Sequence, residues 1–258
     1  MRRSTTKYLL SVGLLSLGTL ALIPSCADNN SSLFVVGVIR LDPSTCVAKP
    51  DTTVVTLATG TLDVAFASSY TAFVLVGNQL TQRGSREQLR TETSRVSLRG
   101  AEVTLTTLDG KSLGNYSTVG TGFVDSASGD TPAYAAMSVN LIPPALGTNP
   151  AVRAAKVVLA KIRVFGDTLG GTAITSSELD FPINICDGCL VRYPASAYDV
   201  GLPAGSAYLC SRGTSMTANA DTAPCMTGQD EAFSCTFCSA SYELCRDPAK
   251  NPSYSTPP

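Results

Sequence analysis

The sequence predicts a mainly β protein, in which an antiparallel β-sandwich is followed by a small, loop-dominated module rich in disulfides. Three observations favour this class. Short β-prone runs recur at intervals of about 8–15 residues, with turn residues between them. Helical periodicity is scarce, and seven of the nine cysteines fall within residues 186–245. The number and spacing of the runs also fit an immunoglobulin-like arrangement.

The first element is a targeting segment. Three basic residues precede an apolar stretch over residues 8–22, which is too short for a comfortable transmembrane helix. The stretch runs into Leu-Ile-Pro-Ser-Cys at residues 22–26, which resembles the lipobox of bacterial lipoproteins. This resemblance implies that residues 1–25 are a signal peptide and that Cys26 carries the lipid. An ordinary signal peptide cut nearby is the alternative.

The predicted body covers residues 33–185, after a polar tether at residues 26–32. Its β-prone runs lie at residues 33–41, 53–57, 62–66, 71–80, 96–105 and 134–142. Ala101, Val103 and Leu105 alternate with polar residues, which predicts a strand buried on one face.

The clearest strand is expected over residues 157–164, followed by a loop at 166–171 and a return strand at 172–185. Apolar residues alternate with polar ones along both segments, so each has one apolar face. The two segments therefore predict a β-hairpin. Its apolar faces comprise Val158, Ala160, Ile162 and Val164 on the first strand and Leu179, Phe181, Ile183 and Ile185 on the second.

Eight cysteines remain once Cys26 is set aside, an even number as four disulfides require. They are Cys46, Cys186, Cys189, Cys210, Cys225, Cys235, Cys238 and Cys245. Full pairing requires Cys46 to bridge to the C-terminal module, while the other connectivities stay open. The predicted module covers residues 186–248, and residues 249–258 are expected to be a disordered tail.

A zinc site is the rival interpretation of these cysteines. Two C-x-x-C pairs, at residues 186–189 and 235–238, could supply four thiolates. Their separation exceeds that of most zinc ribbons, and an exported chain usually oxidises such thiols, so disulfides and no metal are expected. A thioredoxin-like redox pair would lie at a helix N-terminus, but no helix-forming segment follows Cys189.

Composition excludes several classes of function. The chain has no His, which excludes Ser-His, Cys-His and His-metal sites. A G-x-S-x-G match at residues 110–114 therefore lacks its partner and fits a hairpin loop. The formal net charge of −1 argues against nucleic-acid binding. Glu178 and Asp180 could serve a hydrolase, but a solvated strand face explains them equally well. No catalytic residue, cofactor or metal is assigned.

Several segments together resemble uncharacterised lipoproteins of myxobacteria and related deltaproteobacteria. These segments are Val164–Gly171, Glu178–Val191, Pro224–Asp230 and Cys235–Cys238. Proteins of this kind combine a β-rich body with a terminal Cys-rich segment. The resemblance implies an outer-membrane lipoprotein without enzyme activity, and it carries over no functional residue beyond Cys26 and the paired cysteines.

The expected function is therefore a binding or structural role in the cell envelope. The membrane is the expected partner through the N-terminal lipid, together with an envelope protein or a polysaccharide. The face of the outer membrane stays undetermined. Two alternatives remain: a His-free carbohydrate-active hydrolase that uses acidic residues, and a thiolate zinc-binding protein.

Overall fold

The two sheets of a β-sandwich account for most of the described structure. The computed structural model describes residues 32–85, 90–192, 224–234, 243–246 and 250–253. The first sheet has the order β2-β1-β4-β7 and is antiparallel throughout. Its strands are β1 (Leu33–Ile39), β2 (Thr56–Leu57), β4 (Tyr70–Asn78) and β7 (Ala133–Ile142).

The second sheet has the order β3-β10-β8-β5-β6, and β9 also pairs with β8. Its strands are β3 (Gly60–Asp63), β5 (Val96–Thr107), β6 (Ser112–Val124), β8 (Val157–Thr168), β9 (Ala173–Thr175) and β10 (Leu179–Cys186). β3 runs parallel to β10, and the other pairs of this sheet are antiparallel. The predicted mainly β, antiparallel sandwich is thus confirmed, with β3 as a parallel addition at its edge.

The remaining elements are short. Helices α1 (Pro144–Gly147) and α2 (Pro150–Ala154) connect β7 to β8. In the C-terminal region, β11 (Val191–Arg192) pairs in parallel with β12 (Phe233–Ser234), and α3 spans Glu243–Arg246. Helices α1 and α2 and strand β6 were not predicted from the sequence. The strand predicted at residues 53–57 is shorter in the structure, where β2 covers only Thr56–Leu57. The strand predicted at residues 62–66 corresponds to β3, which begins two residues earlier and ends at Asp63.

The core lies between the sheets and is formed by one face of each strand. The apolar face predicted for β8 is fully buried, and Phe181 and Ile183 of β10 oppose it from the neighbouring strand. β5 contributes Ala101, Val103 and Leu105, all with no exposed surface. The predicted alternation along β5, β8 and β10 therefore identified the buried face of the second sheet.

A buried amide joins the two sheets at one end of the sandwich. Asn78, at the end of β4, donates hydrogen bonds to the carbonyls of Ser94 and Asp125, both at 2.9 Å. These two residues flank β5 and β6, in the other sheet. We call this end, where β1 begins and β8 finishes, the Ser32 end. β3 and β10 finish at the opposite end, called the Cys186 end.

Two leucines near the end of β5 allow a matched test of the core. Leu105 is fully buried, whereas Leu108 is 70% exposed in the turn that follows. We expect Leu105→Ala to lower the free energy of unfolding by about 2–5 kcal/mol, because it leaves a cavity between the sheets. Leu108→Ala should change it by less than about 0.5 kcal/mol. Urea denaturation of both variants measures the difference, and equal effects would contradict this assignment of the core.

Candidate functional site

Two C-terminal segments meet at β3, the four-residue strand at the edge of the second sheet. One is the docking segment, defined as residues 224–231. The other is the C-x-x-C turn, defined as residues 186–190, which directly follows the pairing of β10 with β3. Both lie at the Cys186 end of the sandwich.

The backbone of the docking segment attaches to the free edge of β3. The amide of Asp63 donates to the carbonyl of Gly228 at 2.9 Å, and the amide of Asp230 donates to the carbonyl of Thr61 at 3.0 Å. Gly228 has a φ of +80°, and a Cβ there would lie 2.9 Å from the Cβ of Ala67. The segment therefore extends the sheet beyond β3, and glycine is needed where it approaches the turn after that strand.

The side chain of Gln229 reaches across to the first sheet. Its Oε1 accepts a hydrogen bond from the amide of Thr71 at 3.0 Å, and its Nε2 donates to the carbonyl of the same residue at 3.1 Å. At the start of β4, the primary amide thus makes the two backbone hydrogen bonds that a neighbouring strand would make. Gln229 is only 4% exposed, and these two bonds satisfy its polar atoms inside the protein.

A buried tyrosine and a half-buried aspartate form the centre of this contact. The hydroxyl of Tyr70 donates to Asp230 Oδ2 at 2.7 Å, and the amide of Thr61 donates to Asp230 Oδ1 at 2.7 Å. Burial raises the pKa of Asp230, an effect that these hydrogen bonds partly oppose. Burial and the facing carboxylate also raise the pKa of Tyr70. Asp230 is therefore more easily protonated than an aspartate in water.

A disulfide and an ion pair fix the two ends of the docking segment. Cys225 is bonded to Cys46 across a sequence separation of 179, with the Cα atoms 5.3 Å apart. Glu231 accepts from the amide of Cys225 at 2.9 Å and lies 3.4 Å from the guanidinium of Arg40. The predicted bridge from Cys46 to the C-terminal module is therefore present in the structure, and its partner is Cys225.

The second described disulfide closes the C-x-x-C turn. Cys186 is bonded to Cys189, with the Cα atoms 5.9 Å apart. The buried carboxylate of Asp63 lies under the turn and accepts hydrogen bonds from the amides of Gly188, at 2.7 Å, and Leu190, at 2.9 Å. These bonds satisfy a charged group that would otherwise be costly to bury.

The chain near its C-terminus closes the other side of the turn. Asn251 Nδ2 donates to the carbonyl of Gly188 at 3.0 Å, and Ser253 Oγ donates to the carbonyl of Asp187 at 2.6 Å. Gly188 has a φ of +76°, and a Cβ there would lie 2.0 Å from Asn251 Oδ1, so any other residue would be strained and would displace Asn251. The sequence predicts a disordered tail from residue 249, but residues 250–253 instead pack against this turn, with Asn251 only 5% exposed.

The same cluster is the zinc candidate among the described residues. A carboxylate oxygen of Asp63 and the sulfurs of Cys186 and Cys189 lie within 4.8 Å of one another. With the two sulfurs bonded to each other, neither is a thiolate, so this pair cannot ligate zinc as it stands. Cys235 and Cys238, the other predicted pair, lie outside the described residues, as do Cys26 and Cys210. Cys245 falls in α3.

The two carboxylates considered for a hydrolase lie on the outer surface of the sandwich. Asp180 is on the exposed face of β10, and Glu178 immediately precedes that strand. Glu178 accepts from Lys161 Nζ at 2.9 Å and lies 3.7 Å from Arg163, and Asp180 lies 3.4 Å from the same Lys161 Nζ. The predicted solvent-exposed position of the pair is confirmed.

A polar groove of about 610 Å³ lies at the Ser32 end of the sandwich. This volume falls within the range of small-molecule sites. Six of the eleven residues that line it are Ser or Thr. Residues that border it include Ser32, Arg83, Thr93, Thr172 and Ile174.

Sequence reasoning missed the residues that organise the Cys186 end. Asp63, Tyr70 and Asn251 were not predicted to have a role, although all three are buried and hydrogen-bonded to distant parts of the chain. The polar run at residues 228–231 was the one signal in the sequence: a polar loop was expected there, with a Ca²⁺ contact at Asp230 and Glu231 as the alternative, whereas Gln229 and Asp230 bond to Thr71, Thr61 and Tyr70.

Comparisons with known proteins give no family assignment. No protein-family model matches the chain, and no curated protein matches its sequence significantly. Among the described residues, no helix has both the length and the apolar character needed to cross a membrane.

The raised pKa of Asp230 predicts a characteristic dependence of stability on pH. Its pKa is raised in the folded state, so its contribution to stability is fully present below the unfolded pKa of about 3.8 and is lost as the pH rises through the folded pKa. The stability of the native chain relative to Asp230→Asn should therefore fall as the pH increases above about 4. Urea unfolding at a series of pH values gives this difference.

Asp42 provides the matched control with the opposite sign. Hydrogen bonds from Lys49 and Ser44 lower its pKa, so its contribution is lost as the pH falls through the folded value. The stability of the native chain relative to Asp42→Asn should rise with pH over the acidic range. If both differences followed the same trend, the assigned environment of Asp230 would be wrong.

The Cys46–Cys225 bond should be the stronger of the two described restraints. In the chain-entropy picture a loop of this length contributes about 5 kcal/mol, against about 2 kcal/mol for a four-residue loop. We expect the double variant Cys46→Ser, Cys225→Ser to release the docking segment while the sandwich stays folded on its own core. Hydrogen exchange would show new exposure at residues 224–231 and retained protection in β5 and β8. Loss of protection in β5 and β8 as well would contradict this expectation.

Proposed function

We propose that the chain is an exported protein, anchored to the bacterial outer membrane through a lipid on Cys26, with a binding or structural role in the cell envelope. The leader at residues 1–25 is the sequence basis for this proposal. The membrane is its partner through the lipid, and an envelope protein or polysaccharide is the second partner class.

The Cys46–Cys225 disulfide is the structural observation that carries the proposal. It joins positions 179 residues apart and fixes the docking segment to the sandwich. Such bonds form and persist in oxidising compartments and are rare in the cytosol, where thiols are kept reduced. A chain that depends on this bond for part of its fold fits a destination outside the cytoplasm.

The position of Ser32 gives the anchored molecule an orientation. Ser32 is only six positions after Cys26, and six extended residues span at most about 20–22 Å. The Ser32 end, with its polar groove, would then face the membrane surface. The Cys186 end, with the C-x-x-C turn and the docking segment, would face away from it.

The polar groove supports the binding half of the proposal. Its volume and its hydroxyl-rich wall suit a small polar ligand or a segment of polysaccharide. The alternative hydrolase has no comparable support from Glu178 and Asp180, because both carboxylates are exposed and face the same lysine.

Substitution of the lipidated cysteine tests the anchor. Cys26→Ser should abolish acylation, because the hydroxyl cannot form the thioether that holds the lipid, and should leave an uncleaved precursor or a soluble product. Ser25→Ala keeps a small residue before the cysteine and should be processed normally. Intact mass and partitioning between membrane and soluble fractions distinguish the two variants. Unchanged lipid mass and membrane partitioning in Cys26→Ser would refute the proposal.

A further inference from the structure

The Cys186–Cys189 disulfide contributes much less to the fold than the Cys46–Cys225 disulfide. It closes a loop of four residues, whereas Cys46 and Cys225 are 179 positions apart. Restraint of the unfolded chain increases with the length of the closed loop. The shorter bond is therefore a weak structural restraint. Stabilisation of the fold alone does not explain why the bond is there.

Four hydrogen bonds hold the C-x-x-C turn in addition to the sulfur–sulfur bond. Asp63 holds the amides of Gly188 and Leu190, and Asn251 holds the carbonyl of Gly188. Ser253 adds a hydrogen bond to the carbonyl of Asp187. If the disulfide opened, these contacts would keep the two cysteines beside each other, ready to close again.

The two cysteines differ in their exposure to solvent. Cys189 is exposed, whereas Cys186 is half-buried at the end of β10. Exchange requires an incoming thiolate to reach one sulfur in line with the bond, while the other sulfur leaves. The geometry favours attack on Cys189, with Cys186 as the leaving group. Exposed disulfides are also the labile and catalytic ones more often than buried ones.

We infer that Cys186 and Cys189 form a thiol–disulfide exchange site for the cysteine thiols of other exported polypeptides. A thiolate of the partner attacks Cys189 Sγ, the bond to Cys186 breaks, and Cys186 leaves as a thiolate that takes a proton from water. A second thiolate of the partner then attacks the mixed disulfide and releases Cys189. The partner loses two electrons and gains a disulfide, and the turn is left as a dithiol. A disulfide of a second polypeptide returns it to the oxidised form by the reverse sequence.

Asp63 and Asn251 are positioning residues in this scheme. Neither supplies a reacting atom. Together they hold the peptide groups between the two cysteines in place. This explains how a C-x-x-C pair can be organised without a helix after it.

Thiol–disulfide exchange at this turn is an activity separate from the proposed lipid anchor. Its tests use the purified full chain, so a failure would leave the proposed lipid anchor untouched.

Selective reduction is the first test. The full chain is equilibrated with graded ratios of reduced to oxidised dithiothreitol, free thiols are alkylated, and the peptides are identified by mass. Cys186 and Cys189 should be reduced at a less reducing ratio than Cys46 and Cys225, while circular dichroism shows a folded sandwich. Reduction of both bonds together, or of Cys46–Cys225 first, would overturn the inference.

The second test identifies the attacked sulfur. Cys186→Ser leaves Cys189 as a free thiol, and Cys189→Ser leaves Cys186, so the two variants are matched. With oxidised glutathione, Cys186→Ser should form a mixed disulfide at least about tenfold faster than Cys189→Ser, because only Cys189 is exposed. Equal rates, or faster reaction at Cys186, would contradict the assigned roles.

The third test measures positioning. Asn251→Ala should shift the thiol–disulfide equilibrium with glutathione about tenfold towards the dithiol, equivalent to about 30 mV for two electrons. Asn115→Ala, at an exposed position on β6, is the control and should leave the equilibrium unchanged. An unchanged equilibrium in Asn251→Ala would show that the turn is not held ready by this contact and would overturn the preorganised site.

Discussion

The arrangement of the C-terminal region depends on β3, a strand of four residues with a different partner on each side. One edge pairs in parallel with β10, and the other binds the docking segment through Thr61 and Asp63. The carboxylate of Asp63 also accepts two hydrogen bonds from backbone amides of the C-x-x-C turn. A buried charge of this kind is tolerated only when its oxygens are fully hydrogen-bonded. The docking segment and the C-x-x-C turn therefore both depend on β3, and a substitution that disrupts this strand would displace both.

The disulfide and the polar side chains restrain the docking segment in different ways. The Cys46–Cys225 bond limits how far the docking segment can move, but it does not select a register. Gln229 and Asp230 do so, because their side chains fit polar groups of β3 and β4 at fixed positions. Buried polar contacts of this type are costly when mismatched, which makes them suited to specifying one arrangement.

The parts of the fold that local pattern encodes could be predicted from the sequence. β8 and β10 alternate apolar and polar residues along their length, so their pairing and their buried faces followed directly. β6 was missed because Gly114, Gly120 and Gly122 replace the large apolar residues that mark a strand. The parity of the cysteines predicted that Cys46 would bond to the C-terminal region but gave no means of choosing Cys225. The roles of Asp63, Tyr70 and Asp230 depend on contacts across more than 120 residues, and no local pattern reports such contacts.

The parallel pairing of β3 with β10 also constrains the order in which the molecule can assemble. The two strands are about 120 residues apart in sequence, so β3 finds its partner only after nearly three-quarters of the chain is present. Topologies dominated by distant contacts fold slowly, because the entropy cost of closing a long loop precedes the formation of any stabilising contact. If the chain crosses a membrane as an extended polypeptide, as proposed, this delay is useful. β3 could not take its place in the second sheet until β10 had crossed as well, so the edge that binds the docking segment would form only after export.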